Sequence, residues 1–252
     1  MIKTQEEIEI MRQAGRILGK ILRELEQEVR VGLEVLKLEE KFLDLCKKEK
    51  VEPACKNYKR GKGKPFPTGL CVSINDECVH CYPKRGAKLQ DGDNVLLDTV
   101  IRFKGLHVDA AITVGVGSIS PEKKRLLETT KLALDTAINQ IGAGKHVGDI
   151  SNTIQTVVEM AGFNVIREYT GHGIGREMHE LPSIPSWGDK GQGVVLEEGM
   201  TITIEPLVCT GDSKVINKKG EEWETVMADG GNFAQFEHTV LVKKRGFEIL
   251  TK

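Results

Sequence analysis

Asn94-Val95-Leu96-Leu97-Asp98-Thr99-Val100-Ile101-Arg102-Phe103-Lys104-Gly105-Leu106-His107-Val108-Asp109-Ala110-Ala111-Ile112-Thr113-Val114 carries two β-branched, apolar runs on either side of a Lys-Gly turn signal. The pattern predicts strands over 94–102 and 108–116, paired as a hairpin, with Asp98 and Asp109 facing each other. A charge inside such a run is costly to bury unless something neutralises it. Taken singly, either aspartate reads equally well as a turn-flanking side chain. The pair gains meaning from three residues in the second half of the chain.

Two glutamates sit in comparable surroundings, in Thr203-Ile204-Glu205-Pro206 and Gln235-Phe236-Glu237-His238, and one histidine lies between glycines in Gly171-His172-Gly173. The lone tripeptide reads as a solvent-facing turn. Four carboxylates brought together would repel, and some would have to stay protonated. Two divalent cations remove that conflict, because four negative charges and one neutral imidazole balance them. Oxygen-rich ligation with a single imidazole suits a hydrolytic pair of Mn, Co, Fe(II) or Zn ions better than a structural zinc. The residues therefore predict a two-metal hydrolase.

The bulk composition is compatible with this. A chain of 252 residues can bury a sizeable core, and 36 basic against 37 acidic residues give a formal charge of −1, which argues against wholesale nucleic-acid or membrane binding. No stretch approaches the roughly 20 apolar residues needed to span a bilayer. The first residues lack the apolar centre of a signal peptide, and the six cysteines have no framework spacing. A cytoplasmic protein with reduced thiols is expected.

Working outward, Ile8, Met11, Ile17, Leu18, Ile21, Leu22 and Leu25 fall three and four apart, predicting an amphipathic helix over 4–29. A second helix is expected over 34–49. A third should be capped by Ser120-Pro121-Glu122 and run to about Ile141, and a fourth should cover 149–161. Strands are expected at 69–75, 164–169, 194–196, 201–209, 223–227 and 234–243. Each half, about 1–118 and 119–252, thus supplies helices, a sheet segment and two of the acids. One catalytic domain built from two related halves is the implied organisation.

Other motifs carry less. Cys78-x-x-Cys81 precedes Tyr82-Pro83-Lys84-Arg85-Gly86, a turn rather than the helix that thioredoxin-like chemistry needs, and no second pair completes a zinc knuckle. His172 and His179 have the wrong spacing for a helical His-Glu-x-x-His site. The basic run from Lys56 to Lys64 lacks a phosphate-loop pattern. It reads as a solvated loop, with an RNA or ribosome contact as the alternative.

Taken in order, Asn75-Asp76-Glu77-x-x-His80, Asp98-x10-Asp109, Gly171-His172-Gly173-Ile174-Gly175, His179-Glu180-x-Pro182, Thr203-Ile204-Glu205-Pro206 and Gln235-Phe236-Glu237-His238-Thr239 resemble the methionine aminopeptidases of the short, bacterial type. The likeness spans essentially the whole chain. It implies an α/β (α+β) pita-bread fold, a pseudo-twofold curved antiparallel sheet backed by helices. It also implies that Asp98, Asp109, His172, Glu205 and Glu237 are metal ligands, with Asp109 and Glu237 bridging. Glu205 would accept the proton of the attacking water, His179 would steady the oxyanion, and His80 would contact the peptide near the scissile nitrogen. Cys55, Tyr58, Phe66, Cys71, Met178 and Trp223 would wall the methionine pocket. The substrates implied are peptides and nascent chains that begin with Met and have a small second residue. A monomer is the default expectation for the chain.

The chain departs from that pattern in places. Ala110-Ala111-Ile112 follows the second aspartate where polar residues are usual, and Cys81-Tyr82-Pro83 follows His80 in place of Gly-Ile-Pro. Met178 stands where phenylalanine is common, and 55–71 is longer and more basic than usual. A proline-directed peptidase of the same fold and a non-catalytic binding protein are the competing readings. The first usually carries a long N-terminal domain, for which the helix-rich start leaves no room. The second is disfavoured by a complete set of ligands. The 26 residues from His179 to Glu205 leave no place for the insertion of the longer type II enzymes.

Overall fold

The structure is a computed structural model that describes residues 2–59 and 61–252. Arg60, part of the basic run, lies outside the described residues. Helix α1 (Gln5–Glu28) starts at a reciprocal cap: Glu7 N donates to Thr4 Oγ1 at 3.2 Å and Thr4 N to Glu7 Oε2 at 2.7 Å. Ile8, Met11, Leu18, Leu22 and Leu25 form its buried stripe. Helix α2 (Leu36–Glu49) follows, then strands β1 (Glu52–Pro53), β2 (Cys71–Ile74), β3 (Asn94–Phe103) and β4 (Leu106–Gly115). The hairpin expected around Lys104-Gly105 is β3–β4, with ten residues in each strand.

Helix α3 (Pro121–Ile138) is capped by Ser120, whose Oγ accepts from Lys123 N at 3.2 Å, and ends three residues before the expected Ile141. Helix α4 (Val147–Met160) leads to β5 (Asn164–Val165), β6 (Thr170–Gly173), β7 (Glu180–Pro185), β8 (Thr201–Ile204) and β9 (Leu207–Cys209). The chain closes with β10 (Val215–Asn217), β11 (Thr225–Met227), β12 (Phe233–Gln235), β13 (Glu237–Val242) and β14 (Phe247–Ile249).

The main sheet runs β1-β3-β4-β13-β8-β6-β7, all antiparallel, with β2 added on β3 and β14 on β13. A smaller sheet is ordered β12-β9-β5. Two expected strands are each split between these sheets. The run 201–209 breaks after Ile204, where Pro206 has no N–H to continue a ladder, and 234–243 breaks at Phe236. Glu205 and Glu237 therefore sit where the chain leaves one sheet for the other. The expected strand at 194–196 is reduced to one bridge between Val195 and His146, and β7, with its two prolines, was not anticipated.

Parity along the strands separates the two faces of the sheet. Ala110 and Ile112 of β4 line a cavity with Gly19 and Leu22 of α1 and with Lys131 and Asp135 of α3, so the helices back that face. Asp109 and Ala111 point the other way. One apolar cluster joins α1, α2 and the first hairpin through Leu18, Leu25, Phe42, Leu97 and Val108. A second joins α3, α4 and the later strands through Leu134, Ile154, Ile202 and Val240. No helix among the described residues is long and apolar enough to cross a membrane.

Candidate metal centre

Register brings the acids together. Asp98 on β3 pairs with Ala111 on β4, and Ala111 pairs with Glu237 on β13, so all three side chains share a face. Asp109, two residues before Ala111, lies on that face too. Ala111 contributes only a methyl group there and is buried in an apolar cluster with Leu96, Leu207 and Phe233. Glu205 comes directly after Ile204, the residue paired with His238.

His172 arrives from β6. Cβ atoms at its two flanking glycines would collide with backbone: at Gly171 with the Thr203 carbonyl oxygen at 2.6 Å, and at Gly173 with the Leu181 carbonyl oxygen. Only glycines let this strand approach so closely. The His172 backbone N–H donates to Thr203 Oγ1 at 3.0 Å, and that hydroxyl is 3.3 Å from Glu205 Oε1, so Thr203 ties the histidine to the glutamate. His172 Nδ1 donates to the Gly173 carbonyl at 2.9 Å, so its Nε2 carries the lone pair. Nε2 lies 3.8 Å from Asp109 Oδ2 and 3.9 Å from Glu205 Oε1.

One ligand atom each from Asp109, His172 and Glu237 falls within 4.8 Å of the others. Asp98 and Glu205 join the same cavity, about 250 Å³ in volume. Asp109 and Glu237 are 6 % and 2 % exposed, and among the described residues Asp109 Oδ1 and Glu237 Oε1 have no hydrogen-bond partner. Burial pushes the Asp98 carboxyl up to about 7. Burial, and then the charge of Asp98, pushes Glu205 up to about 8. Asp109 and Glu237 are raised well above the carboxylate range, first by burial and then by neighbouring acids. Burial lowers the pKa of His172, which keeps the imidazole neutral. Orphaned carboxylate oxygens, mutual repulsion and a neutral imidazole with an inward lone pair are the chemistry of a cation site, and the residues fit one.

Sequence reasoning missed two supporting side chains, Gln235 and Thr203. The Gln235 amide donates to Glu237 Oε2 at 3.1 Å and to Glu205 Oε2 at 3.4 Å, tying the two glutamates together. The available signal was a polar residue at an interior strand position two places from an acid. His238, beside Glu237 in sequence, belongs to the opposite face: it lines the helix-side cavity and bonds Thr251 Oγ1 through Nδ1 at 2.9 Å. Burial lowers its pKa to about 4.

A second, more apolar cavity of about 60 Å³ adjoins the acids, lined by Cys55, Tyr58, Phe66, Cys71, Val100, Met178 and Trp223. His80, Asp98, Asp109 and His179 line both cavities. The Phe66 ring meets Trp223 edge-on at 5.4 Å, His80 meets Trp223 at 6.2 Å, and the His172 and His179 rings are 4.5 Å apart. The departure at 81–83 has a packing role. Tyr82 stands edge-on to Phe66 at 6.0 Å and donates to Glu221 Oε2 at 2.8 Å. Cys78 and Cys81 are buried thiols; burial pushes Cys78 up to about 12 and Cys81 higher still, which does not suit redox use. Cys81 also lies near Glu77 and Glu224, but Lys218 and Lys84 already pair with those carboxylates at 2.8 and 2.6 Å.

Comparison with known proteins agrees with this geometry. Methionine aminopeptidase 1 of Bacillus subtilis is 38 % identical over 251 residues, covering 99 % of this chain and 98 % of its own. The crystal structure of methionine aminopeptidase from Thermotoga maritima superposes with a TM-score of 0.96 at 43 % identity, covering 100 % of this chain and 99 % of that one. Prolidase from Pyrococcus furiosus shares the fold at a TM-score of 0.77 and 24 % identity, with this chain spanning 65 % of it. The fold is thus the α/β pita-bread arrangement. Residues 9–244 match metallopeptidase family M24, and the chain belongs to that family.

Proposed function

We propose that the chain is a methionine aminopeptidase that removes an N-terminal methionine preceding a small second residue. One observation carries the reading: the cluster of acids and imidazole opens onto an apolar cavity lined with sulfur and aromatic groups, through the shared residues His80, Asp98, Asp109 and His179. A family M24 member is a metal-dependent hydrolase. Asp98, Asp109, His172, Glu205 and Glu237 would hold two divalent ions of the Co, Mn, Fe(II) or Zn class. Those ions supply Lewis acidity for the scissile carbonyl and make hydroxide available near neutral pH.

The remaining work belongs to side chains. Glu205 takes the proton of the attacking water and passes it to the leaving amine. His179 gives a hydrogen bond to the oxyanion, a contact worth on the order of 10²–10³ in turnover. His80 contacts the peptide near the scissile nitrogen. Cys55, Tyr58, Phe66, Cys71, Met178 and Trp223 receive the methionine side chain, with sulfur–aromatic contacts contributing roughly 0.3–1.5 kcal/mol each. The whole chain acts as one catalytic domain, a cytoplasmic monomer working on nascent chains. The basic 56–64 loop is its candidate ribosome contact.

The test is hydrolysis of Met-Ala-Ser against Ala-Pro peptides, with and without added metal, alongside metal content after chelator-free purification. Cleavage of Met-Ala-Ser with one or two ions bound is expected. Cleavage of the proline peptide alone would overturn the substrate assignment, and inertness with every metal would favour a binding protein.

A further inference from the structure

Tyr58 is held from several directions. Its N–H donates to Cys55 O at 3.0 Å, Phe66 N donates to Tyr58 O at 2.8 Å, and Asn57 N donates to Phe66 O at 2.9 Å. The Tyr58 ring lies against Trp223 at 6.4 Å, and Trp223 Nε1 anchors the same loop by donating to Lys64 O at 3.0 Å. From this fixed position the phenol oxygen reaches His179 Nδ1 at 3.1 Å, with the rings 5.5 Å apart. A pocket wall does not need that hydrogen bond.

The two neighbouring histidines are held through the same ring nitrogen by opposite kinds of partner. His172 Nδ1 faces a carbonyl, which can only accept, so its Nε2 bears a lone pair suited to a cation. His179 Nδ1 faces a hydroxyl, which can donate. A neutral imidazole that accepts at Nδ1 carries its hydrogen on Nε2. That is the form able to give a hydrogen bond to a negatively charged oxygen.

We propose that Tyr58 is a positioning residue for the reaction: its hydroxyl donates to His179 Nδ1 and holds His179 as the oriented Nε2–H donor. The proposal rests on the aminopeptidase reading, in which His179 serves the oxyanion. It gives one residue two duties, as wall of the methionine pocket and as orienter of the donor.

Tyr58→Phe removes the hydroxyl and keeps the ring. The test has two independent readouts. The first is ¹⁵N NMR of histidine-labelled, zinc-loaded protein, with the His179 signals assigned by their loss in His179→Ala. In the unsubstituted protein Nδ1 should lack a bound proton and show the upfield displacement of a hydrogen-bond acceptor. In Tyr58→Phe that displacement should vanish, or the proton should move to Nδ1. A proton on Nδ1 before substitution, or identical His179 signals in both proteins, overturns the proposal. The second readout is kinetic, with Met-Ala-Ser. Tyr58→Phe should lower kcat about tenfold with KM within about threefold, and should add no loss in a His179→Ala background. A rise in KM alone, or an undiminished loss in that background, means a pocket-wall role and overturns it. Failure of the unsubstituted protein to cleave Met-Ala-Ser with any metal would sink the aminopeptidase reading instead, while the NMR still decides the contact.

Discussion

Asp98 and Glu237 are in register with the same residue: Ala111 pairs with Asp98 on one side and with Glu237 on the other. Neighbouring strands lie about 4.8 Å apart, so the two acids stand roughly 10 Å apart at their backbones, on one face of the sheet with Ala111 between them. Asp109 shares their face. In the metal-free protein this concentration of acids is a source of instability.

That instability should appear as a pH dependence. Asp98 and Glu205 titrate at about 7 and about 8 in the folded protein, against about 3.9 and 4.3 in unfolded chains. A carboxyl with a raised folded pKa binds its proton more tightly in the native state, so the stability these two groups contribute is fully present below about pH 4 and is lost as pH rises towards about 8. Each tenfold difference in proton affinity is about 1.4 kcal/mol, and about 1 kcal/mol moves Tm by roughly 2–4 °C for a chain of this size. Calorimetry in EDTA should therefore show Tm falling by about ten degrees or more between pH 5 and pH 9. Saturating Mn, which binds the ionised form, should remove most of the fall. A Tm that rises with pH in EDTA would contradict the account.

Gln235 holds the two glutamates through its amide. Gln235→Ala should leave the fold intact but weaken metal binding by about 10–100-fold, the usual effect of losing a group that orients a ligand. Calorimetric titration of metal into chelator-stripped protein measures this directly. Unchanged affinity would mean that the glutamates are held without it.

Much of this architecture is legible in the sequence. The β3–β4 hairpin announces itself because Lys104-Gly105 separates two β-branched runs, and α1 because its apolar residues keep a helical period. The four acidic ligand candidates can be read because acids in apolar strands are costly without a counter-charge, whereas His172 alone reads as a turn residue and gains its meaning from them. The sheet-switching at Glu205 and Phe236 cannot be read, since local pattern does not say which ladder a strand joins. Gln235 and Thr203 escape because a neutral polar side chain carries no such cost in the sequence alone. β7 is hidden because its prolines at 182 and 185 look like loop residues, although an edge strand tolerates them.

Lys3 and Glu180 form an ion pair at 2.9 Å whose side chains are 0 % and 3 % exposed, linking the N-terminal segment to the residue after His179. Burial works against the Glu180 charge, but the Lys3 hydrogen bond and charge, with the Glu177 N–H, bring its pKa below the ordinary value. Lys3→Met takes one partner from a buried carboxylate that still accepts from Glu177 N at 3.1 Å, and should destabilise the protein by about 1–3 kcal/mol. Lys3→Met with Glu180→Leu should recover most of that. Urea unfolding of the three proteins decides the matter. A double variant no better than the single one would show that the pair's charge balance is not what stabilises this corner.

Gly171 sets how closely β6 can approach β8. An added methyl would stand 2.6 Å from the Thr203 carbonyl oxygen and 3.3 Å from Ile184 Cβ, and backbone on that side cannot swing away as a flexible side chain could. Relief requires β6 to move off β8, which stretches the His172 N–H bond to Thr203 Oγ1 and with it the link to Glu205. Gly171→Ala should therefore reduce metal affinity by about 10–100-fold and lower Tm. Gly142→Ala, whose methyl would make only ordinary contact at 3.4 Å with Gly246 N, should change neither by much. Titration of metal into both proteins separates the cases. Full affinity in Gly171→Ala would show that His172 reaches the acids without the close approach of these two strands.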